Sequence, residues 1–172
     1  MRIFLIGFMG SGKSHVGRQL AKAAQMPFLD LDDYMEQHEQ RSITSIFAQE
    51  GEAAFRQMER AALHRTAELP EAVIACGGGT PCFFDNMDWM NRHGVTVYLQ
   101  TPVDILFQRL QAGKNKRPLL ATLDDAALQN YISNKLNERE PFYLQAGVIY
   151  HVQQLHEPVA NELFKTLKFK PL

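Results

Sequence analysis

Residues 7–14 of the chain read GFMGSGKS and contain the residue types needed to hold a chain of phosphates. The three glycines let the backbone adopt positive φ, so that successive N–H groups can point into one concavity that favours an anion. Lys13 can reach the terminal phosphates as a positive charge, and the hydroxyl of Ser14 can ligate the Mg²⁺ that accompanies them. The pattern G-x-x-x-x-G-K-[ST] therefore predicts nucleotide binding, although switches, motors and kinases all share it.

Two carboxylates, Asp30 and Asp32, follow a second short apolar segment. In an extended segment they point to the same side. One of them could hold Mg²⁺ through water, and the other could accept the proton of a hydroxyl that attacks the γ-phosphate. The alternative is that Asp32 only caps the helix that follows.

Arginines further along the chain are candidates for anion binding. Arg56 can pair with Glu59 three residues later, which would fix its guanidinium for bidentate capture of a carboxylate. Arg117 belongs to a basic loop, residues 113–118 (GKNKRP). That loop is either a solvated surface loop or a lid that closes over the phosphates and brings a cation to the transferring group.

The remaining candidates are a glycine run and two more arginines. Residues 77–79 (GGG) follow a buried apolar segment, which favours close approach of the backbone to a ligand over simple flexible linkage. Arg139 is a second candidate for binding an anionic group. Arg109 could stack on adenine, or it could be an ordinary solvated helix residue.

These side chains must be positioned by secondary structure, and the sequence alternates between two kinds of segment. Short apolar, β-branched segments predict strands at residues 2–6, 27–30, 73–76, 95–99 and 148–150. Segments with apolar residues at helical spacing separate them. This alternation predicts an α/β fold, with a five-stranded parallel sheet flanked by helices on both faces. Because ligands bind outside the carboxyl ends of strands in such sheets, the candidates should converge on one crevice.

Two segments exceed the minimal α/β pattern. One is a helical insertion at about residues 32–60, and the other is the lid at about residues 112–124. Insertions on a rigid nucleotide-binding scaffold are where substrate sites and lids tend to lie. At 172 residues the chain predicts a single domain, residues 1–172.

Composition excludes several classes of protein. Hydrophobic residues make up 45%, charged residues 22%, and the formal net charge is −1, so no basic excess indicates a nucleic-acid partner. No apolar run approaches the roughly 20 residues of a membrane span. The apolar N-terminal run leads directly into the glycine loop, so we expect no signal peptide. Cys76 and Cys82 predict reduced thiols, and we expect a cytoplasmic monomer.

Several separate blocks of sequence resemble the shikimate kinase family. They run in order and cover most of the chain: residues 7–14 (GFMGSGKS), 29–32 (LDLD), 51–59 (GEAAFRQME), 77–79 (GGG), 117–120 (RPLL) and 139–143 (REPFY). The resemblance implies a P-loop NTPase fold. It also implies transfer of the γ-phosphate of ATP to the 3-hydroxyl of shikimate, giving shikimate 3-phosphate and ADP in aromatic amino-acid biosynthesis.

The resemblance also implies a role for each matching residue. ATP would be bound by Gly10, Ser11, Gly12, Lys13, Ser14, His15, Arg109 and Arg117. Shikimate would be bound by Asp32, Arg56, Gly78, Gly79 and Arg139. Lys13, Asp32 and Arg117 would be catalytic, while Mg²⁺ would be held by Ser14 directly and by Asp30 through water. The chain departs from the family at His15, where Thr is usual.

Two other functions stay open on the residues alone. A gluconate-type sugar-acid kinase of the same fold would also need arginines and an acidic residue. A nucleotide-dependent regulatory module without phosphotransfer would account for the phosphate loop, but it leaves Asp32 and Arg56 unexplained.

Overall fold

The computed structural model describes residues 1–113, 118–153 and 158–168. Its strands are β1 (Arg2–Ile6), β2 (Phe28–Asp30), β3 (Ala72–Ala75), β4 (Val95–Gln100) and β5 (Val148–His151). They form one sheet in the order β2-β3-β1-β4-β5, and every neighbouring pair is parallel. The predicted five-stranded parallel sheet is confirmed.

Helices connect the strands throughout the described residues. They are α1 (Lys13–Ala24), α2 (Leu31–Glu39), α3 (Ile43–Arg65), α4 (Asn86–His93), α5 (Val103–Ala112), α6 (Pro118–Ala121), α7 (Asp125–Tyr143) and α8 (Val159–Lys168). Short 3₁₀ turns occupy Thr66–Glu68 and Thr80–Cys82. None of the helices in these described ranges is long and apolar enough to cross a membrane.

The central strand is buried on both of its faces. Ile3 and Leu5 of β1 pack into a cluster with residues of α1 and α8, whereas Phe4 and Ile6 pack into a second cluster with residues of α3, α4, α5 and α7. Because successive side chains of a strand point to opposite faces, helices must cover both sides of the sheet. The flanking layers therefore hold the carboxyl ends of β1, β2 and β3 rigidly together.

The N-terminal cap of α2 tests one of the two alternatives for Asp32. Helix α2 begins at Leu31, and its N-cap is Asp30, whose Oδ1 accepts a hydrogen bond from the backbone N–H of Asp32 at 3.2 Å. The alternative that Asp32 caps this helix is therefore wrong, because the helix starts one residue before it. Helix α3 is kinked at Gly51, which adopts φ 79° and ψ 178°.

Candidate active site

The phosphate loop joins β1 to α1 and has the predicted backbone conformation. Gly7, Gly10 and Gly12 adopt φ of 141°, 82° and 96°, values that side-chain-bearing residues rarely adopt. The Nζ of Lys13 donates hydrogen bonds to two carbonyl oxygens of the loop itself, those of Gly7 at 2.9 Å and Phe8 at 3.0 Å. Burial lowers the pKa of Lys13 to about 8. The amino group of Lys13 thus lies against the loop in which it is expected to bind phosphates.

Ser14 and Asp30 come together at the carboxyl end of the sheet. The Oγ of Ser14, in the first turn of α1, donates a hydrogen bond to Oδ2 of Asp30 at 2.6 Å. A hydroxyl and a carboxylate are hard oxygen donors of the kind that Mg²⁺ prefers. Within the described ranges no group of three or more His, Cys, Asp or Glu side chains could hold a metal by itself. These two oxygen donors suit an ion whose remaining coordination positions are filled by phosphates and water.

Asp32 lies in the first turn of α2, facing the same crevice. Burial, together with the nearby carboxylates of Asp30 and Glu59, raises the pKa of Asp32 to about 6, while the positive charge of Lys13 opposes the rise. A carboxylate with this pKa is deprotonated for the most part at pH 7. It is nevertheless more basic than an ordinary aspartate, which suits a proton acceptor.

The glycine run at residues 77–79 supplies space for side chains of the crevice. A Cβ added to Gly77 would lie 2.9 Å from Oε1 of Glu59 and 3.1 Å from Oδ1 of Asp32. The φ angles of these glycines lie outside the left-handed region. Space, and not backbone conformation, therefore requires glycine at Gly77.

The next two glycines face the two candidate arginines. A Cβ on Gly78 would lie 3.3 Å from Nη1 of Arg139. A Cβ on Gly79 would lie only 2.7 Å from both Nη1 and Nη2 of Arg56, closer than real Cβ atoms come to such groups. In this structure the groups that lie close to these two glycines are the guanidinium groups of both arginines, and the approach of the backbone to a ligand stays a prediction.

Arg56 is held by carboxylates of its own helix. Its Nη1 donates to Oε2 of Glu59 at 2.9 Å, which is the predicted ion pair, and its Nε and Nη2 donate to Oε1 of Glu52 at 3.3 and 3.1 Å. Glu59 is 1% exposed, and its other oxygen accepts the hydroxyl of Thr80 at 2.6 Å. A carboxylate this buried must be paired to be stable, and both of its oxygens are.

Helix α7 brings Arg139 and Tyr143 to the opposite side of the glycine run. The hydroxyl of Tyr143 donates to the carbonyl oxygen of Gly78 at 2.6 Å. The guanidinium carbon of Arg139 lies 5.7 Å from the centre of the Phe8 ring, in the phosphate loop. Since Arg139 and Tyr143 are one helical turn apart, they reach the same segment together.

Arg109 of α5 contacts the phosphate loop from outside the crevice. Its Nη1 donates to the carbonyl oxygens of Gly10 and Ser11, both at 3.2 Å. A cavity of about 1020 Å³ opens beside it, between α1 and the start of α8; its lining includes Ser11, Gly12, His15, Gln19, Arg109 and Pro158. This is room for a nucleoside, because ligand sites typically measure about 300–1000 Å³.

His15 lies where this cavity meets a smaller one. The smaller cavity measures about 340 Å³, and Lys13, Ser14, His15 and Arg109 line it together with two glycines of the loop. The imidazole of His15 is exposed, and its Nε2 lies 3.1 Å from Nε2 of Gln19 on the next turn. His15 therefore stands between the space beside the loop lysine and the larger cavity.

Most of the predicted site residues converge on one crevice at the carboxyl ends of β1, β2 and β3. Arg117 lies outside the described residues, so the structure does not test its predicted position in the lid. Four residues that hold the crevice together were not predicted as site residues: Glu52, Thr80, Tyr143 and Phe83, whose ring centre lies 4.1 Å from the guanidinium carbon of Arg56. Glu52 and Tyr143 each lie four residues from a candidate arginine. This helical spacing could have indicated that they lie on the same face as those arginines. Thr80 and Phe83 contact residues far away in sequence, and no local pattern marks them.

Comparison with known proteins identifies one family. The family model for shikimate kinase matches residues 9–168. A shikimate kinase of Bacteroides thetaiotaomicron is 44% identical over 157 residues, covering 91% of this chain and 90% of that protein. A shikimate kinase of Parabacteroides distasonis is 42% identical over 172 residues, covering 96% and 99% of the two chains.

Solved structures of the same family resemble the fold closely. The crystal structure of shikimate kinase from Bacteroides thetaiotaomicron has a TM-score of 0.93 at 41% identity, covering 98% of this chain and 99% of that chain. Shikimate kinase from Acinetobacter baumannii, in complex with shikimate, has a TM-score of 0.83 at 33% identity, covering 97% and 90%.

Proposed function

The chain belongs to the shikimate kinase family, and we propose that the crevice described above is where it transfers the γ-phosphate of ATP to the 3-hydroxyl of shikimate. The products are ADP and shikimate 3-phosphate, on the route to aromatic amino acids. One observation carries the assignment of the site: Arg56, Arg139 and Asp32 face the same glycine run, directly beside the phosphate loop. Arginines suit the carboxylate of shikimate, and a carboxylate suits its hydroxyls.

Arg56 retains donors for the substrate. A guanidinium has five N–H donors, and the contacts with Glu52 and Glu59 use three of them. One N–H therefore remains on each terminal nitrogen, and these two can take the two oxygens of a carboxylate. Arg139 faces Gly78 from α7 and would grip the same group from its other side.

Asp32 would position the 3-hydroxyl and take up its proton. In the transfer, the hydroxyl oxygen forms a bond to the γ-phosphorus, the bond from that phosphorus to the bridging oxygen of ADP breaks, and the hydroxyl proton passes to the Asp32 carboxylate. Its raised pKa supports this role. Because phosphoryl transfer has a loose transition state, orientation of the hydroxyl would contribute as much as basicity.

Lys13 would leave the loop carbonyls and pair with the β- and γ-phosphates, which are stronger acceptors. Gly10, Ser11, Gly12 and His15 would contact the phosphates, mainly through backbone N–H groups. Arg109 would border the adenine in the larger cavity.

Ser14 and Asp30 would hold Mg²⁺, Ser14 as a direct ligand and Asp30 through water. When bound, the ion neutralises charge on the phosphates. Arg117, on a lid of about residues 112–124, would add a cation at the transferring group. We further propose that the protein acts as a cytoplasmic monomer.

The test is an assay of ADP release, coupled to pyruvate kinase, with Mg-ATP present and with or without shikimate. We expect turnover that depends on shikimate and is not supported by gluconate. Turnover that is the same with and without shikimate would refute the assignment, and turnover with gluconate alone would point to a sugar-acid kinase.

A further inference from the structure

The guanidinium of Arg56 lies over an aromatic ring that no sequence motif marks. Its central carbon is 4.1 Å from the centre of the Phe83 ring, well within the range of a cation–π interaction. The ring of Phe55 lies on the same arginine at 4.9 Å. Phe83 comes from the loop that follows the 3₁₀ turn Thr80–Cys82, so it reaches Arg56 from a different part of the chain.

The carboxylates that bind Arg56 leave one degree of freedom of its guanidinium open. Glu52 and Glu59 bind three N–H groups of Arg56, and this sets the rotation of the guanidinium within its own plane. The tilt of that plane depends on what packs against its faces. Of the two rings beside it, that of Phe83 lies nearer to the guanidinium carbon, and Gly79 has no side chain to compete for the space.

The neighbouring residues show how the loop is fastened to α3. The ring of Phe84 lies 5.3 Å from the guanidinium carbon of Arg60, and Oδ1 of Asp85 accepts a hydrogen bond from Nη2 of the same arginine at 2.8 Å. Arg56 and Arg60 are one turn apart on α3. The adjacent residues Phe83 and Phe84 therefore pack against two arginines on the same side of this helix. Phe84 adopts φ of 53°, which bulky residues avoid unless their surroundings enforce it. The two neighbouring rings thus lie on different arginines.

We propose that Phe83 is a positioning residue for substrate binding: its ring holds the plane of Arg56 so that the two remaining N–H donors face the carboxylate of shikimate. The inference rests on the proposed function of the crevice. Phe83 acts through Arg56 and supplies no polar group to the substrate. Its loss should therefore weaken binding of the carboxylate while leaving the phosphate loop and Asp32 in place.

The experiment compares substitutions at two adjacent phenylalanines. Phe83→Leu removes the aromatic face and keeps an apolar side chain, so the KM for shikimate should rise about five-fold. The kcat and the KM for ATP should stay within about two-fold of the original values. Phe83→Tyr keeps the aromatic face and should restore the KM. Phe84→Leu is the matched control, since its ring lies on Arg60, whose charge pairs with Asp85, and it should leave all three constants unchanged.

Titration calorimetry with shikimate, without nucleotide, measures the same effect as a change in Kd. If Phe83→Leu does not fold, as judged by its thermal transition, Phe83→Met replaces it. The inference is overturned if the leucine or methionine variant binds shikimate as tightly as the Phe84 control, or if the tyrosine variant is as weak as the leucine variant. Failure of the proposed function looks different, because the unsubstituted protein would then show no turnover dependent on shikimate.

Discussion

Glu59 offers the most direct test of how the substrate arginine is held. Glu59→Gln keeps the shape of the side chain and removes its charge. In the native arrangement, one oxygen accepts from Arg56 at 2.9 Å and the other from Thr80 at 2.6 Å. The Thr80 hydroxyl can rotate to accept from the new amide, whereas Arg56 has only donors. The glutamine oxygen must therefore face Arg56, and the ion pair becomes a hydrogen bond to a neutral group.

The magnitude follows from burial. Glu59 is 1% exposed, so its interaction with Arg56 is only weakly screened by water. Charge-assisted hydrogen bonds contribute about 1.5–3 kcal/mol, against about 0.5–1.5 kcal/mol for neutral ones. We therefore expect the free energy of unfolding to fall by about 1–2 kcal/mol, which corresponds to a Tm lower by roughly 2–8 °C for a chain of this size. The KM for shikimate should rise, because the most buried partner of Arg56 loses its charge and holds the guanidinium less firmly.

Glu52→Gln is the matched control for this prediction. It makes the same chemical change to a partner of the same arginine, but the Glu52 side chain is 59% exposed. Exposed pairs contribute about 0–1 kcal/mol, so its Tm should stay close to that of the unsubstituted protein. Urea unfolding and thermal scans without ligand measure both variants. Equal losses of stability in the two variants would refute the reasoning that burial makes Glu59 the stronger anchor.

Two further substitutions test the crevice itself. Gly79→Ala should raise the KM for shikimate about ten-fold or more, because its Cβ would displace the Arg56 guanidinium. Gly147→Ala, whose Cβ would meet nothing closer than 3.7 Å, should leave the KM unchanged, and equal KM values for the two variants would contradict the role of space. Asp32→Asn should lower kcat about 10²–10⁴-fold while ATP still binds in a calorimetric titration; undiminished kcat would exclude Asp32 as proton acceptor. Because folding raises the pKa of Asp32 from 3.8 to about 6, ionisation of this group destabilises the free protein increasingly as the pH rises between these values, so Asp32→Asn should stabilise it by about 1–3 kcal/mol at pH 7. This gain should shrink as the pH falls below about 6 and vanish below about pH 3, where the carboxyl group is protonated in both the folded and unfolded states.

Features carried by neighbouring residues could be predicted from the sequence alone. The phosphate loop depends on glycine conformation, a lysine and a serine within residues 7–14, and the structure has the expected positive φ angles. The pair of Arg56 and Glu59 depends only on helical spacing, and it is present. The parallel sheet followed from the alternation of segments, because short connections and buried strands leave few other arrangements.

The tertiary structure decided the order of the strands and which side chains of distant segments contact each other. The strand order β2-β3-β1-β4-β5, the contact of Phe83 with Arg56 and the hydrogen bond from Thr80 to Glu59 all join residues that are far apart in sequence. Periodicity reveals which side chains share a face of one helix or strand, since that depends on backbone geometry alone. The side chain that meets that face depends on how whole elements pack. Only the folded chain therefore shows that Gly79 leaves room for a guanidinium and that Phe83 lies against it.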